Sequence, residues 1–370
     1  MPQAAQSRMN NGNAFKLGLF SANCSNGLTM TKAPVRWTAS WDNNVAAAKL
    51  ADAAGLEFLL PVGRWKGYRG ETNTQGESFE TITWATGLLA ATQELSVFGT
   101  VHMALIHPVF AAKQIATADH VGRGRFGLNV VAGWNEAEFD MFGAELLPHD
   151  ERYAFAEEWV GICKRIWTDA EPFDFAGRYF TLKEVQGLPK PYNGRAPLIM
   201  SAGSSRAGRD FALRHVDCLF MIIDTLEKLP ADLAALRAGA GRPVRVFASG
   251  HLVCRATRQE AEDFYHYVVD EMGDWQAADY AAKAREQGQS LPKERLQAIK
   301  RRFVGGCGTY GVVGSYDDVV EAFAWMSEAG LEGMAIGLVN YIDEFPLLRD
   351  EVLPRLERRG LRRPFAGLGP

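Results

Sequence analysis

Short apolar runs recur along the chain, and each is followed by a stretch whose apolar residues return with helical spacing. The runs predict strands over 15–21, 58–62, 95–103, 126–133, 197–201, 218–223, 244–254 and 333–339. The stretches between them predict helices over 42–54, 77–92, 109–121, 149–168, 206–215 and 226–238, from 258, over 317–329 and over 345–358. Punctuation agrees. Gly55 stops the first helix, His107 and Pro108 open the third, and Asp150 is placed as an N-cap for the helix of 149–168. Three long loops are expected over 22–41, 63–76 and 136–147, the last with helical character. A small β excursion at 173–180 interrupts the alternation, and 271–304 reads as a charged, helical insertion.

Repeated strand–helix order means a parallel sheet with right-handed crossovers. Eight units favour an α/β fold closed as a (β/α)8 TIM-like barrel, with the insertion segments at its C-terminal mouth. The organisation expected is a flexible arm over 1–14, one barrel domain over 15–358 and a tail over 359–370. No Gly-x-Gly-x-x-Gly follows the first strand, so a dinucleotide-binding open sheet has no support.

Bulk properties narrow the classes. The chain has 370 residues, 47% hydrophobic and 23% charged, with a formal net charge of -4. That balance argues against a nucleic-acid or membrane-surface binder. No apolar run approaches the ~20 residues of a membrane span, and the N-terminal stretch lacks a signal-peptide core. Cys24, Cys163, Cys218, Cys254 and Cys307 form no Cys-x-x-Cys pair and no metal-ligand spacing. A reducing, cytoplasmic location without structural metal is the expectation.

Polar residues inside apolar strands locate the candidate chemistry. Asn129 breaks the run of 126–133, and Thr100 breaks the preceding strand. A buried amide without a partner costs roughly 1–3 kcal/mol, so Asn129 must meet a polar neighbour or a ligand. Ser201, Ala202, Gly203, Ser204, Ser205 and Arg206 run from a strand into a helix. The run reads either as an ordinary turn with an N-cap serine or as a phosphate cradle at a helix N-terminus. Tyr153, in the first turn of its helix, either completes a capped start or turns its hydroxyl to the same ligand. His102 and His251 lie in strands near the barrel mouth, as core residues or as proton-handling groups. After the second strand Arg64, Trp65 and Tyr68 crowd together, a solvated loop or a substrate wall of charge and stacking rings.

These motifs together resemble the bacterial luciferase-like flavin monooxygenases. The marks are Thr117, Ala118, Asp119 and His120 leading into 124–134; then His149 to Tyr153; then Ser201 to Ser205. The resemblance runs from the first strand to about residue 339, and looks nearest to the uracil ring-opening and dimethylsulfone monooxygenases. It implies reduced FMN from a separate NAD(P)H:flavin reductase, O2 as co-substrate, and a homodimer or homotetramer. Carried over by motif, Ser204, Ser205 and Tyr153 would hold the FMN phosphate, beside Ala202 and Gly203. Val131, Ala132 and Gly133 would lie along the flavin. Thr100 and Asn129 would hold O2, His251 or His102 would handle protons, and Arg64, Trp65, Tyr68 and Trp134 would face a small-molecule substrate, a pyrimidine-like amide or a sulfone. The alternatives within the superfamily are a deazaflavin (F420)-dependent oxidoreductase and an alkanesulfonate monooxygenase. The sulfonate enzymes' cysteine after the second strand is absent, with Gly63, Arg64, Trp65 and Lys66 there instead. Their arginine two residues before the histidine is Ser249.

Overall fold

The computed structural model describes residues 7–203, 205–285, 293–365 and 367–368. Eleven strands are found among them: β1 (Lys16–Phe20), β2 (Phe58–Leu60), β3 (Ser96–His102), β4 (Phe126–Val131), β5 (Phe173–Ala176), β6 (Thr181–Val185), β7 (Leu198–Ala202), β8 (Cys218–Ile222), β9 (Arg245–Arg255), β10 (Tyr310–Ser315) and β11 (Gly333–Gly337). Eight of them close a parallel barrel in the order β1-β2-β3-β4-β7-β8-β9-β11, with β11 returning to β1. β5 and β6 form a separate antiparallel pair, longer than the excursion expected at 173–180.

The two-residue period of the strands sorts the side chains. Leu17, Leu19, Val97, Val101, Leu128, Val130 and Ile336 face the helices in the main core cluster. Phe58, Leu60, Phe98, Met200, Cys218, Phe220, Phe247 and Ala335 fill the barrel, with Phe58 edge-on to Phe98 and Phe247. Because Phe98 points inward, so do Thr100 and His102 further up β3. Asn129 stands beside Thr100 in register on β4.

β10 was not expected from the pattern. β9 is long enough to serve two partners on one edge: its first half pairs with β8, and from Gly250 that edge passes to β10. Gly311 permits this pairing, because a Cβ there would stand 2.7 Å from Nε2 of His251.

Two expectations about the chain ends are corrected over the described residues. Residues 7–14 pack against the N-terminal end of the barrel rather than forming a loose arm. Met9 is fully buried in the barrel cluster, and Arg8 pairs with Asp52 and Glu94. Beyond 359, Arg362 is buried and donates to the fully buried Glu57 at 2.7 Å. Glu57 also accepts from Asn11 and Asn13 side chains and from the Leu17 amide. A charge so enclosed fixes both ends of the chain to the barrel floor.

At the opposite end the helices Trp275–Arg285 and Lys293–Gly306 form a roof over a second apolar cluster with Tyr68, Val253 and Val269. Asp274 ties this roof to the loop after β2, accepting from the amide and hydroxyl of Thr72 at 2.6 and 2.8 Å. No described helix is long and apolar enough to cross a membrane.

Candidate active site

At the C-terminal mouth Thr100 and Asn129 meet. The Thr100 hydroxyl donates to the carbonyl of Pro61 at 2.6 Å. Having spent its only proton, it can only accept from Asn129, whose Nδ2 donates to it at 3.1 Å. This fixes the amide orientation. The Asn129 Oδ1 atom is then buried without a hydrogen-bond partner among the described residues. Each of the two residues is 7% exposed. The notch is tight: a Cβ on Gly63 would lie 3.1 Å from Thr100 and 2.9 Å from His102.

Next to this pair lies a charged group that the sequence pattern did not reveal. Glu138, in the short helix Glu136–Phe142, is 1% exposed. Its Oε1 accepts from the amides of Trp65 and Lys66 at 2.9 and 3.3 Å and from Nη1 of Arg64 at 3.4 Å. Its Oε2 lies 3.9 Å from Nε2 of His102. Arg64 gives Nε to Gln75 at 3.1 Å and Nη2 to the Tyr68 hydroxyl at 2.9 Å, and its guanidinium lies 5.4 Å from the Trp134 ring centre. Burial pushes the His102 imidazole down to about 4; Glu138 opposes that shift and Arg64 adds to it. His102 is therefore neutral at neutral pH. Of the other wall residues, Tyr68 is buried, while Trp65 and Trp134 are exposed at the rim, Trp65 edge-on to Phe142.

A second feature runs across β4 and β7. Val131, Ala132 and Gly133 are half-buried at the end of β4, with Gly133 in the left-handed region at φ +91. Arg152 clamps this stretch, donating to the carbonyls of Gly133 and Leu147 at 2.9 and 2.6 Å. Ala202 is exposed at the tip of β7, as is Ile222 on β8, so the mouth is open on this side. Gly203 approaches the next helix closely; a Cβ on it would lie 2.6 Å from the Gly208 backbone. Ser205 caps that helix, its hydroxyl accepting from the Gly208 amide at 3.1 Å. The Tyr153 hydroxyl reaches the same turn, since a Cβ on Gly208 would stand 2.5 Å from it. Ser204 lies outside the described residues. Asp150 is not the N-cap expected of it: Pro148 occupies that position and Asp150 sits in the first turn, where its charge still favours the helix dipole.

His251 behaves differently. Thr309 donates its hydroxyl proton to the Gly306 carbonyl at 2.7 Å, so it accepts from His251 Nδ1 at 3.1 Å. Nε2 is then unprotonated and accepts from the Tyr265 hydroxyl at 3.1 Å. Burial first, then Arg302 and Arg301, hold its imidazole down at about 3. Both ring nitrogens are spent on protein partners beneath the roof. The structure thus brings Thr100, Asn129, His102, Arg64 and Tyr68 together, and gives His251 a neighbourhood of its own.

A parallel barrel with buried polar groups gathered at its C-terminal mouth defines an α/β-barrel enzyme. Comparison with known proteins narrows this. The pattern of the luciferase-like monooxygenases matches residues 15–333, and the chain belongs to that family. It is 29% identical over 351 residues to the FMNH2-dependent dimethylsulfone monooxygenase of Pseudomonas fluorescens, covering 92% of this chain and 94% of that one. It is 25% identical over 366 residues to the pyrimidine monooxygenase RutA of Acinetobacter baylyi, covering 93% and 95%. Among solved structures, riboflavin lyase (RcaE) with modified FMN and substrate riboflavin superposes with a TM-score of 0.84 at 22% identity, covering 96% of this chain and 94% of that one; this likeness concerns the fold.

Proposed function

We propose that the chain is an FMN-dependent monooxygenase that uses reduced FMN and O2 to oxygenate and cleave a small uncharged molecule, a pyrimidine-like cyclic amide or a sulfone. The observation that carries this reading is the Asn129 amide oxygen, buried at the mouth with no partner among the described residues. Leaving such an acceptor bare costs roughly 1–3 kcal/mol, and a ligand that donates to it removes that cost. The residues around it fit FMN. Ser204, Ser205 and Tyr153 would hold its phosphate at the start of the helix Arg206–His215, where free amides and the helix dipole favour an anion. Val131, Ala132, Gly133, Ala202 and Gly203 would flank the rest, and their small side chains or none leave room for it. Reduced FMN, when bound, supplies the two electrons with which O2 is activated.

The protein's own part is orientation and electrostatics. The second N–H of Asn129 Nδ2 is held by the Thr100 bond in a fixed direction, ready for charge that develops on oxygen. Neutral His102 accepts or relays a proton at the edge of the site. Arg64 has N–H groups left after its three protein bonds and orients a substrate oxygen, with Tyr68, Trp65 and Trp134 as walls. His251, saturated by Thr309 and Tyr265, holds the roof in place instead of moving protons. A separate NAD(P)H:flavin reductase supplies the reduced cofactor, and the working form is a cytoplasmic homodimer or homotetramer. The test is substrate-dependent O2 consumption with a reductase, NADH and FMN, with products followed by mass spectrometry across amides, sulfones and sulfonates. Absence of any coupled product refutes the proposal. Light scattering of the purified protein checks the subunit number.

A further inference from the structure

The mouth holds a buried acidic and a buried basic side chain, Glu138 and Arg64, and they face each other. Glu138 is anchored by peptide amides more closely than by Arg64: 2.9 and 3.3 Å to the Trp65 and Lys66 N–H groups, 3.4 Å to the guanidinium. The loop after β2 therefore holds Glu138 through two peptide amides as well as through Arg64. Among the described residues no second carboxylate is paired with Arg64, and its other hydrogen bonds go to Gln75 and Tyr68. His102 adds no positive charge at neutral pH, and Arg152 spends its guanidinium on the carbonyls of Gly133 and Leu147.

Resting on the function proposed above, we infer that Glu138 is a specificity-determining residue: it cancels the charge of Arg64 at the barrel mouth, so the site takes uncharged substrates and rejects sulfonates and carboxylates. An anion approaching Arg64 meets the Glu138 carboxylate on the same guanidinium, in surroundings where water screens little. A sulfone or ring amide needs only a directed N–H for its oxygen, and the neutralised guanidinium still supplies one. The unpartnered Oδ1 of Asn129 repels an anion as well, and it would accept from the N–H of a ring amide.

Glu138→Gln tests this. Glutamine keeps an acceptor oxygen for the Trp65 and Lys66 amides while leaving Arg64 with its full charge. The probe is methanesulfonate, titrated into the purified protein and read by tryptophan fluorescence, because the Trp134 ring lies beside Arg64. The wild type is expected to show no saturable change across the titration, and Glu138→Gln to saturate with a midpoint at least about tenfold below the highest concentration used, a gain of at least ~1.4 kcal/mol. The double variant Arg64→Gln/Glu138→Gln, which removes both charges, is expected to return to wild-type behaviour. Saturable methanesulfonate binding by the wild type overturns the inference without any variant. So does a folded Glu138→Gln protein with unchanged affinity, or a double variant that binds as the single one does. Since binding is read without turnover, failure of the oxygenase reading appears separately, as missing product with these binding results intact.

Discussion

Replacing Asn129 by leucine separates a ligand-facing amide from a structural one. The change keeps the side-chain volume nearly constant and removes two terms of opposite sign. One is the bond from Nδ2 to Thr100 Oγ1 at 3.1 Å, worth about 0.5–1.5 kcal/mol. The other is the cost of the unpartnered Oδ1, roughly 1–3 kcal/mol. Thr100 keeps its own bond to Pro61, so no donor is orphaned by the change. The balance lies between a loss of about 0.5 and a gain of about 2.5 kcal/mol, which moves Tm by a few degrees at most. Oxygenation responds far more, because removing one preorganised donor from a charge-stabilising site costs about 10²–10³ in rate. The assays are thermal unfolding, FMN binding by fluorescence quenching, and coupled turnover with a flavin reductase. Stable protein that binds FMN and fails to oxygenate is the expected result. A variant that turns over at the wild-type rate, or that loses more than about 3 kcal/mol of stability, refutes the reasoning: in either case the amide would serve the fold.

Three further outcomes follow from the geometry. Gly208→Ala places a Cβ 2.5 Å from the Tyr153 hydroxyl and must displace it; FMN affinity is expected to fall by about tenfold, ~1.4 kcal/mol, as read by equilibrium titration, with circular dichroism unchanged. Arg362→Met strips the buried Glu57 of its cationic partner and is expected to cost about 3–5 kcal/mol in urea unfolding, whereas a merely decorative tail would leave the midpoint in place. His251 and His102 are held down at about 3 and about 4, against 6.5 for an ordinary histidine. The unfolded chain therefore binds more protons than the folded one below about 6.5, and stability falls as pH drops through that window toward 4 and 3. Unfolding midpoints measured between pH 7.5 and 5 should fall, and His251→Gln should flatten the curve; ¹⁵N shifts of His251 at pH 5 should still report the neutral ring protonated on Nδ1.

The barrel was legible because its signal is redundant: each strand–helix unit repeats the same change of period, and an error in one leaves the count intact. β10 escaped because the Tyr310–Ser315 strand carries two glycines, Gly311 and Gly314, and pairs only with the far half of β9. Its reason for being a strand lies in His251 and the β8 edge that ends below it, not in its own apolar pattern. The chain ends misled for a related reason. Polar and charged residues such as Arg8, Asn11 and Arg362 look solvated in sequence, yet here they answer the buried charges of Asp52 and Glu57, which local composition cannot announce.

The same distinction divides the site. Thr100 and Asn129 could be singled out because a polar residue inside an apolar strand is anomalous whatever its partner, and the strand period then turned both inward together. Glu138 gave no such sign. It sits in a short helix among exposed acidic neighbours, and its closest partner is a backbone amide 73 residues away in the chain. A peptide N–H leaves no trace in composition or spacing, so the sequence suggested a free arginine at the mouth where the fold holds a neutralised one. His251 shows the converse. Its place in a strand near the mouth was readable, but only the threonine and tyrosine on either side reveal that its protons are already committed. For a site of this kind, then, the strands disclose where chemistry can occur, while the loops decide which charges remain available to a substrate.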